Sequence, residues 1–493
     1  MNLATLLKGI ATPPRDTALS DITQDSRQVR AGSVFLACRG ERHHGLDFAE
    51  QVAAQGAAAI LWEPQAGRSP PLLPSEIIVT PVPALRTRAS ELAGRFFGLP
   101  SHQLAIAGIT GTNGKTTTAW LLAQALNACG RPAAYIGTLG AAYAGALHPG
   151  QLTTPDAVSV QRRLAAFRDQ GAACVAMEVS SHALAQDRVA AVHFDAAVFT
   201  NLTRDHLDYH GSMAAYAAAK ASLFALSGLR LRVINADDAF GAELLARPGF
   251  EASIATSRRE DFVPRAGQGY LQATQIVLGE QGVSFALRSS FGSAPLSAPL
   301  IGSFNIDNLL AVAGVLLGSG VSLSQVTRAL AGVQAPPGRL EVSGGGREPL
   351  AVVDYAHSPD ALEKALTVLR AHCTGRLWCV FGCGGDRDRG KRSQMGAVAA
   401  RLADELVVTD DNPRTEDPAQ IVREILAGIG DHPATVLHDR AAAIARAIQR
   451  AAPGDAVLVA GKGHEDYQII GTERRAFSDS HAVAAALSGR RQA

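Results

Sequence analysis

Cysteine is scarce in this sequence: six residues, at positions 38, 129, 174, 373, 379 and 383, in a chain of 493. They are too few and too unevenly spaced for a disulfide framework, and no two form a CxxC pair, so a reducing, cytoplasmic setting is expected. Net charge is also nearly absent. Forty-six Lys plus Arg against 45 Asp plus Glu leave +1, so no global field holds a nucleic acid or an acidic membrane surface, and a phosphate-bearing ligand must be gripped locally. Apolar runs long enough to span a bilayer are missing, and the first residues lack a basic segment ahead of an apolar core, which argues against membrane insertion and export. Aromatics make up only 5%.

What is abundant is aliphatic. With 47% hydrophobic and 18% charged residues, the chain can bury several cores and lies outside the disordered class. Its length corresponds to about three domains of ~150 residues. Glycine is frequent, at 48 residues, and short Ala/Val/Ile/Leu runs alternate with longer Ala/Leu-rich helical stretches, the pattern of buried parallel strands joined by crossover helices. The predicted class is α/β. Breaks at residues 68–74 and 334–338, both rich in proline, divide the chain into 1–90, 91–336 and 337–493, the first boundary falling after a further strand at 77–80 and a helix. Strands are predicted at 104–109, 173–177, 195–199 and 231–235 in the middle third, and at 350–353, 377–381, 406–408 and 456–459 in the last.

Thr110-Gly-Thr-Asn-Gly-Lys-Thr-Thr117 lies between an apolar strand and a helix at 116–128. Glycines let backbone N–H groups converge on phosphate oxygens, the helix start adds partial positive charge, Lys115 adds a full charge, and Thr116 can ligate magnesium. Ile109 stands where the general phosphate-loop motif has glycine. Glu178 ends the run beginning at Ala173, a position suited to holding Mg²⁺ or orienting a nucleophile. After the next strand come Asp205, His206, Asp208 and His210, which could ligate metal or cap a helix; their spacing fits no zinc motif. Lys220, on an alanine-rich helix, reads as a solvated lysine. In the last third, Val353-Asp-Tyr-Ala-His-Ser-Pro359, the glycine-rich basic loop 382–392, Thr409-Asp-Asp-Asn-Pro-Arg-Thr415 and Gly461-Lys-Gly-His-Glu465 each follow an apolar run. Four polar loops at four strand ends predict one rim. Cys379 and Cys383 read as packing thiols.

Taken in order, these segments resemble the ATP-dependent Mur ligases of bacterial peptidoglycan synthesis, a family related to folylpolyglutamate synthetase. Thr110-Gly-Thr-Asn-Gly-Lys-Thr-Thr117 is similar to that family's own phosphate loop. Glu178-Val-Ser-Ser-His182, residues 201–211, Gly302-Ser-Phe-Asn-Ile-Asp-Asn308, Gly338-Arg-Leu-Glu341 and Asp354-Tyr-Ala-His357 follow in the family's order, and Asp411-Asn-Pro-Arg414 resembles the signature of members that add meso-diaminopimelate.

The resemblance implies three α/β domains: an N-terminal UDP-substrate domain, a central P-loop-type parallel-sheet ATPase and a C-terminal Rossmann-like domain receiving the amino acid. ATP is then expected at Gly111, Thr112, Asn113, Gly114, Lys115, Thr116 and Thr117, with Asn305, Arg339, Asp354 and His357 around the nucleotide. Mg²⁺ is expected at Thr116 and Glu178, with a second ion helped by His206 and by a carbamate on Lys220 (N6-carboxylysine). Lys115, Glu178, His206 and Lys220 form the implied catalytic set. The UDP-N-acetylmuramoyl dipeptide is expected at Gln24, Ser26, the stretch Glu41-Arg42-His43, Asn113, Thr153, Thr154, Ser180, Gln186 and Arg188. Diaminopimelate is expected at Arg387, Asp411, Asn412, Pro413, Arg414, Gly461 and Glu465, because arginine forks suit carboxylates and Glu465 can accept from an ammonium. A monomer is expected. The alternatives are a lysine-adding member, a folylpolyglutamate synthetase-like ligase, or a nucleotide switch without ligase activity.

Overall fold

A computed structural model describes residues 1–40 and 43–492. The chain divides into two compact units: Met1–Thr256 with Pro264–Gly269 and Gly314–Gly320, and Ser257–Val263 with Tyr270–Ala313 and the chain from Val321 onward.

The first unit opens with a small parallel sheet of β1 (Asp21–Thr23), β2 (Ser33–Ala37), β3 (Ala59–Trp62) and β4 (Ile78–Pro81), in that spatial order. Every residue of β2 is buried, which is why it reads as an uninterrupted apolar run. Val34 and Leu36 face Leu3, Leu6 and the helix Leu85–Phe96, while Phe35 packs with Val52 and Ile60 on the other face.

The larger sheet of this unit contains β5 (Ala105–Thr110), β6 (Ala133–Gly137), β7 (Gly140–Tyr143), β8 (Ala146–His148), β9 (Cys174–Glu178), β10 (Ala196–Phe199), β11 (Leu231–Asn235) and β12 (Ile254–Ser257). Their order is β12-β11-β10-β5-β9-β6-β7-β8. From β12 to β6 the neighbours are parallel, and β7 and β8 add an antiparallel edge to the expected parallel sheet. Because β9 and β10 flank β5, the loops leaving their C-terminal ends share one rim, where open α/β sheets bind ligands.

In the second unit, β13 (Gly269–Gly279), β14 (Gly282–Ser289) and β15 (Gly292–Ala298) form an antiparallel meander. A six-stranded sheet follows, built from β16 (Glu341–Gly344), β17 (Leu350–Asp354), β18 (Leu377–Phe381), β19 (Glu405–Val408), β20 (Ala434–Val436) and β21 (Ala456–Ala460). Its order is β16-β17-β21-β18-β19-β20, with β16 antiparallel and the rest parallel. Helices cover both faces. A hairpin of β22 (Tyr467–Ile470) and β23 (Glu473–Ala476) stands apart from this sheet. Among the described residues, no helix is long and apolar enough to cross a membrane.

Candidate active site

The phosphate loop leaves β5 and enters the helix Lys115–Ala128, with Gly114 in the left-handed region at φ +83°. Gly111 approaches the loop after β10 so closely that a Cβ would strike Thr200 Oγ1. Hydrogen bonds stitch the two loops together: Thr112 N donates to the Asn201 carbonyl (2.8 Å), Asn113 N to Asn201 Oδ1 (2.9 Å), and Thr200 Oγ1 to the Asn113 carbonyl (2.6 Å). Thr200, Asn201 and Thr203 thus brace the cradle for phosphate oxygens, a role that no sequence motif had assigned them.

Two lysine side chains meet at one carbonyl. Lys115 Nζ donates to the Gly111 carbonyl at 2.9 Å and to that of Thr112 at 2.8 Å, and Lys220 Nζ donates to the same Gly111 carbonyl at 2.7 Å. Lys220 is buried, which corrects the reading of it as a solvated helix lysine. Burial, reinforced by the positive charge of Lys115 and only partly opposed by Asp205, lowers its pKa to about 6. Such an amine is largely neutral at neutral pH, the form that can add CO2 to become a carbamate. Burial also lowers the pKa of Lys115, against the pull of Glu178 and Asp205.

Glu178, at the end of β9, is fully buried and heavily bonded. Tyr135 Oη and Thr138 N donate to Oε1 at 2.6 and 2.8 Å, while Thr116 and Thr138 hydroxyls donate to Oε2 at 3.0 and 3.2 Å. Tyr135 and Thr138 come from the neighbouring β6 and its turn, so only the sheet order reveals them. A carboxylate oxygen 3.0 Å from a threonine hydroxyl at the foot of a phosphate loop is an oxygen donor pair suited to Mg²⁺, which completes its shell with phosphate and water. Among the described residues, no group of three or more His, Cys, Asp or Glu converges as an all-protein metal cage. His206 occupies a left-handed conformation (φ +51°) and packs edge-on to His182 at 4.8 Å.

Gln24, Ser26, His43, Gln186 and Arg188 line a cavity of about 900 Å³ together with Arg27, Arg39 and Arg86. Gln24 Oε1 is buried with no hydrogen-bond partner among the described residues. Arg188 donates to Gln186 Oε1 and to the Thr154 carbonyl, whose own hydroxyl donates to the Glu178 carbonyl. Thr153 Oγ1 lies 3.0 Å from Thr138 Oγ1, and Ser180 caps the short helix Ser181–Ala185. The structure therefore connects this cavity to the Glu178 rim through named bonds. Glu41 and Arg42 lie outside the described residues.

In the second unit, β17, β21, β18 and β19 are consecutive parallel neighbours, so their four polar loops form one rim. Asp354 ends β17; burial raises its pKa, while its Oδ2 accepts from Leu340 N at 2.9 Å. Arg339 lies 5.9 Å from the centre of the Tyr355 ring, and His357 Nδ1 is 2.8 Å from the Tyr355 carbonyl. Asn305 is buried, bonded to the Ile301 carbonyl and to Asn308.

A Cβ at Gly384 would lie 2.9 Å from Arg414 Nη1 and 3.7 Å from Arg387 Cγ, so the Arg414 guanidinium and the stem of Arg387 both border that glycine. Arg414 has φ +53°. It is held there because Arg414 N donates to the Ile469 carbonyl, Gly471 N to the Arg414 carbonyl, and Nη1 to the Gly385 carbonyl. Arg392, fully buried, pins the start of the same region by donating to Glu416 and Glu424. Asp411 is buried, with its pKa raised by desolvation, and a Cβ at Gly461 would come 2.5 Å from its Oδ2. Cys379 and Cys383 are buried thiols, the latter pushed up to about 12 by desolvation.

Three family models match most of the chain in succession: "Mur ligase family, catalytic domain" at residues 19–97, "Mur ligase middle domain" at 109–316 and "Mur ligase, glutamate ligase domain" at 338–463. The UDP-N-acetylmuramoyl-L-alanyl-D-glutamate--2,6-diaminopimelate ligase of Xanthomonas campestris pv. campestris is 51% identical over 491 residues, covering 99% of this chain and 97% of that protein. The ligase of the same name from Pseudomonas aeruginosa is 50% identical, covering 96% of each. A solved structure of a ligase of that name superposes with a TM-score of 0.75 at 36% identity, over 96% of this chain and 95% of the other. With a phosphate loop, a buried glutamate and a carbonyl shared by two lysines set on a chain that matches at this depth throughout, the protein belongs to the Mur ligase family.

Proposed function

We propose that the protein is the ATP-dependent, ADP-forming ligase that joins meso-2,6-diaminopimelate to the D-glutamyl γ-carboxylate of UDP-N-acetylmuramoyl-L-alanyl-D-glutamate, in cytoplasmic peptidoglycan precursor synthesis. The observation that carries this reading is the Arg414 guanidinium held over Gly384 beside the stem of Arg387, in a chain about half identical to ligases of that name. A guanidinium fork suits the distal carboxylate that distinguishes diaminopimelate from lysine.

The γ-carboxylate attacks the γ-phosphorus of ATP, ADP leaves, and an acyl phosphate forms. The amine of diaminopimelate, having lost a proton, attacks the acyl carbon; the C–O bond to phosphate breaks, giving amide and inorganic phosphate. Lys115 and the N–H groups of residues 111–116 hold the negative charge that develops on the transferred phosphoryl group. Thr116 and Glu178, and at a second position His206 with Lys220 as its carbamate, would hold magnesium, which would supply charge neutralisation at the phosphate oxygens. Tyr135 and Thr138 fix the Glu178 carboxylate beside Thr116, and Gln24, Ser26, Gln186 and Arg188 hold the UDP-sugar dipeptide, with Thr153, Thr154, Ser180 and Asn113 at its reacting end. Asn305, Arg339, Asp354 and His357 attend the nucleotide.

Phosphate release is the test. With UDP-N-acetylmuramoyl dipeptide and ATP, meso-diaminopimelate should support turnover with a kcat/KM at least about a hundredfold above that of L-lysine, the scale on which an unpaired site charge discriminates. Equal turnover with L-lysine overturns the role of the two arginines.

A further inference from the structure

Lys462 belongs to the same Gly461–Glu465 loop as two of the residues proposed to receive the amino acid, yet its side chain is completely buried. Its Nζ donates to Asn412 Oδ1 at 3.0 Å and to Glu465 Oε2 at 3.2 Å, and stands 5.5 Å from the centre of the Tyr467 ring. Asn412 Oδ1 also accepts from Ile469 N at 2.9 Å. With its oxygen turned to two donors, Asn412 must present its amide nitrogen the other way, and Nδ2 donates to Glu465 Oε2 at 3.0 Å. Glu465 Oε2 therefore takes two bonds from the protein, which leaves Oε1 as the oxygen facing a ligand.

We propose that Lys462 is a positioning residue for amino-acid recognition: from beneath the site it fixes the amide orientation of Asn412 and the rotamer of Glu465, so that Glu465 Oε1 meets the substrate ammonium. The inference rests on the proposed diaminopimelate site. A carboxylate here also limits the cost of burying Lys462, while Glu465 itself is only half-buried and is free to turn once its buried partner is removed. A neighbouring carboxylate, Asp411, which repels Glu465, and a buried cation, Arg440, which attracts it, pack against the same loop, so without Lys462 both would drive the Glu465 side chain out of its place.

Steady-state kinetics on the full-length enzyme test this. Lys462→Met should raise the KM for meso-diaminopimelate by about tenfold or more, the scale of losing one buried charge-assisted contact, with the KM for ATP and for the UDP dipeptide within about twofold of wild type. Lys462→Arg, which keeps the charge, should recover part of the loss and guards against a methionine variant that folds poorly. If Lys462 acts through Glu465, the double variant Lys462→Met/Glu465→Gln should bind diaminopimelate no worse than Glu465→Gln alone. Additive losses, or equal rises in all three KM values, overturn the positioning role. A wild-type enzyme that turns over without diaminopimelate overturns the functional reading first, and is seen before any variant is made.

Discussion

Replacing Asp479 with asparagine strikes the most deeply buried ion pair of the second unit. Neither Arg440 nor Asp479 exposes any side-chain surface. Arg440 Nε and Nη2 donate to the two carboxylate oxygens at 2.7 Å each, and Nη2 donates again to the Ala460 carbonyl at 2.9 Å. Asparagine preserves the shape but offers one acceptor oxygen and no charge, so the guanidinium stays desolvated and one of its two bonds to residue 479 is lost. Removing one member of such a pair costs about 3–5 kcal/mol. For a cooperative unit of roughly 150–250 residues, each kcal/mol is about 2–4 °C of Tm, so the transition of the second unit should fall by roughly 6–20 °C. Trp378 lies in this unit, and its fluorescence alongside calorimetry can follow that transition. Replacing both charges, Arg440→Met with Asp479→Leu, should recover most of the loss, since an apolar pair of similar volume carries no desolvation penalty. A fall in Tm below about 2 °C, or a double variant as unstable as the sum of the two singles, refutes the argument. Because Ala460 immediately precedes Gly461, any variant that still folds should also bind diaminopimelate more weakly.

Lys220→Ala should lose ligase activity by at least about a hundredfold, and a short-chain carboxylate added to the assay should restore part of it, since its oxygens stand in for those of a carbamate; a fully active alanine variant excludes the carbamate. His372 supplies a pH dependence of stability. Its ring accepts from Gly302 N at 2.9 Å through Nε2 and donates to the Gly279 carbonyl at 2.8 Å through Nδ1, and burial lowers its pKa, against the smaller effect of the Gly279 bond. The unfolded chain therefore takes the proton more readily than the native one. This contribution to stability is complete above the ordinary histidine range and is lost as pH falls through that range toward the lower native value. Between about pH 7.5 and 5.5 the wild type should lose more Tm than His372→Gln; equal losses show that His372 does not titrate with unfolding.

Where the chemistry depends on order along the chain, it was legible before the structure. The strand–glycine–lysine–threonine–helix run, the glutamate that ends β9 and the four polar loops after β17, β18, β19 and β21 are local patterns, and the structure places them at strand ends as expected. The antiparallel meander β13–β15 escaped notice because its burial is interrupted by exposed polar positions and a bulge near Gln275, so it shows neither a continuous apolar run nor a clean alternation. The partners of Glu178 were invisible for another reason: Tyr135 and Thr138 reach it only because β6 lies beside β9.

Lysine burial was the least legible property of all, and it is where the function concentrates. Lys220 sits among alanines and Lys462 among glycines, surroundings too small to declare whether a long side chain turns to water or to the interior. The fold turns both inward, Lys220 onto the carbonyl it shares with Lys115 and Lys462 onto the Asn412–Glu465 pair. A chain of near-zero net charge has no long-range field to draw in anions, so its grip on phosphate must come from cations held at short range in a low-dielectric site. Lys115, which shares the Gly111 carbonyl with Lys220, is placed to provide that charge, while burial first and the positive charge of Lys115 second hold the pKa of Lys220 down. Burial and crowding favour the uncharged Lys220 amine, the form that the proposed carbamate requires, and on that proposal the repulsion between the two lysines would become attraction between an ammonium and a carbamate.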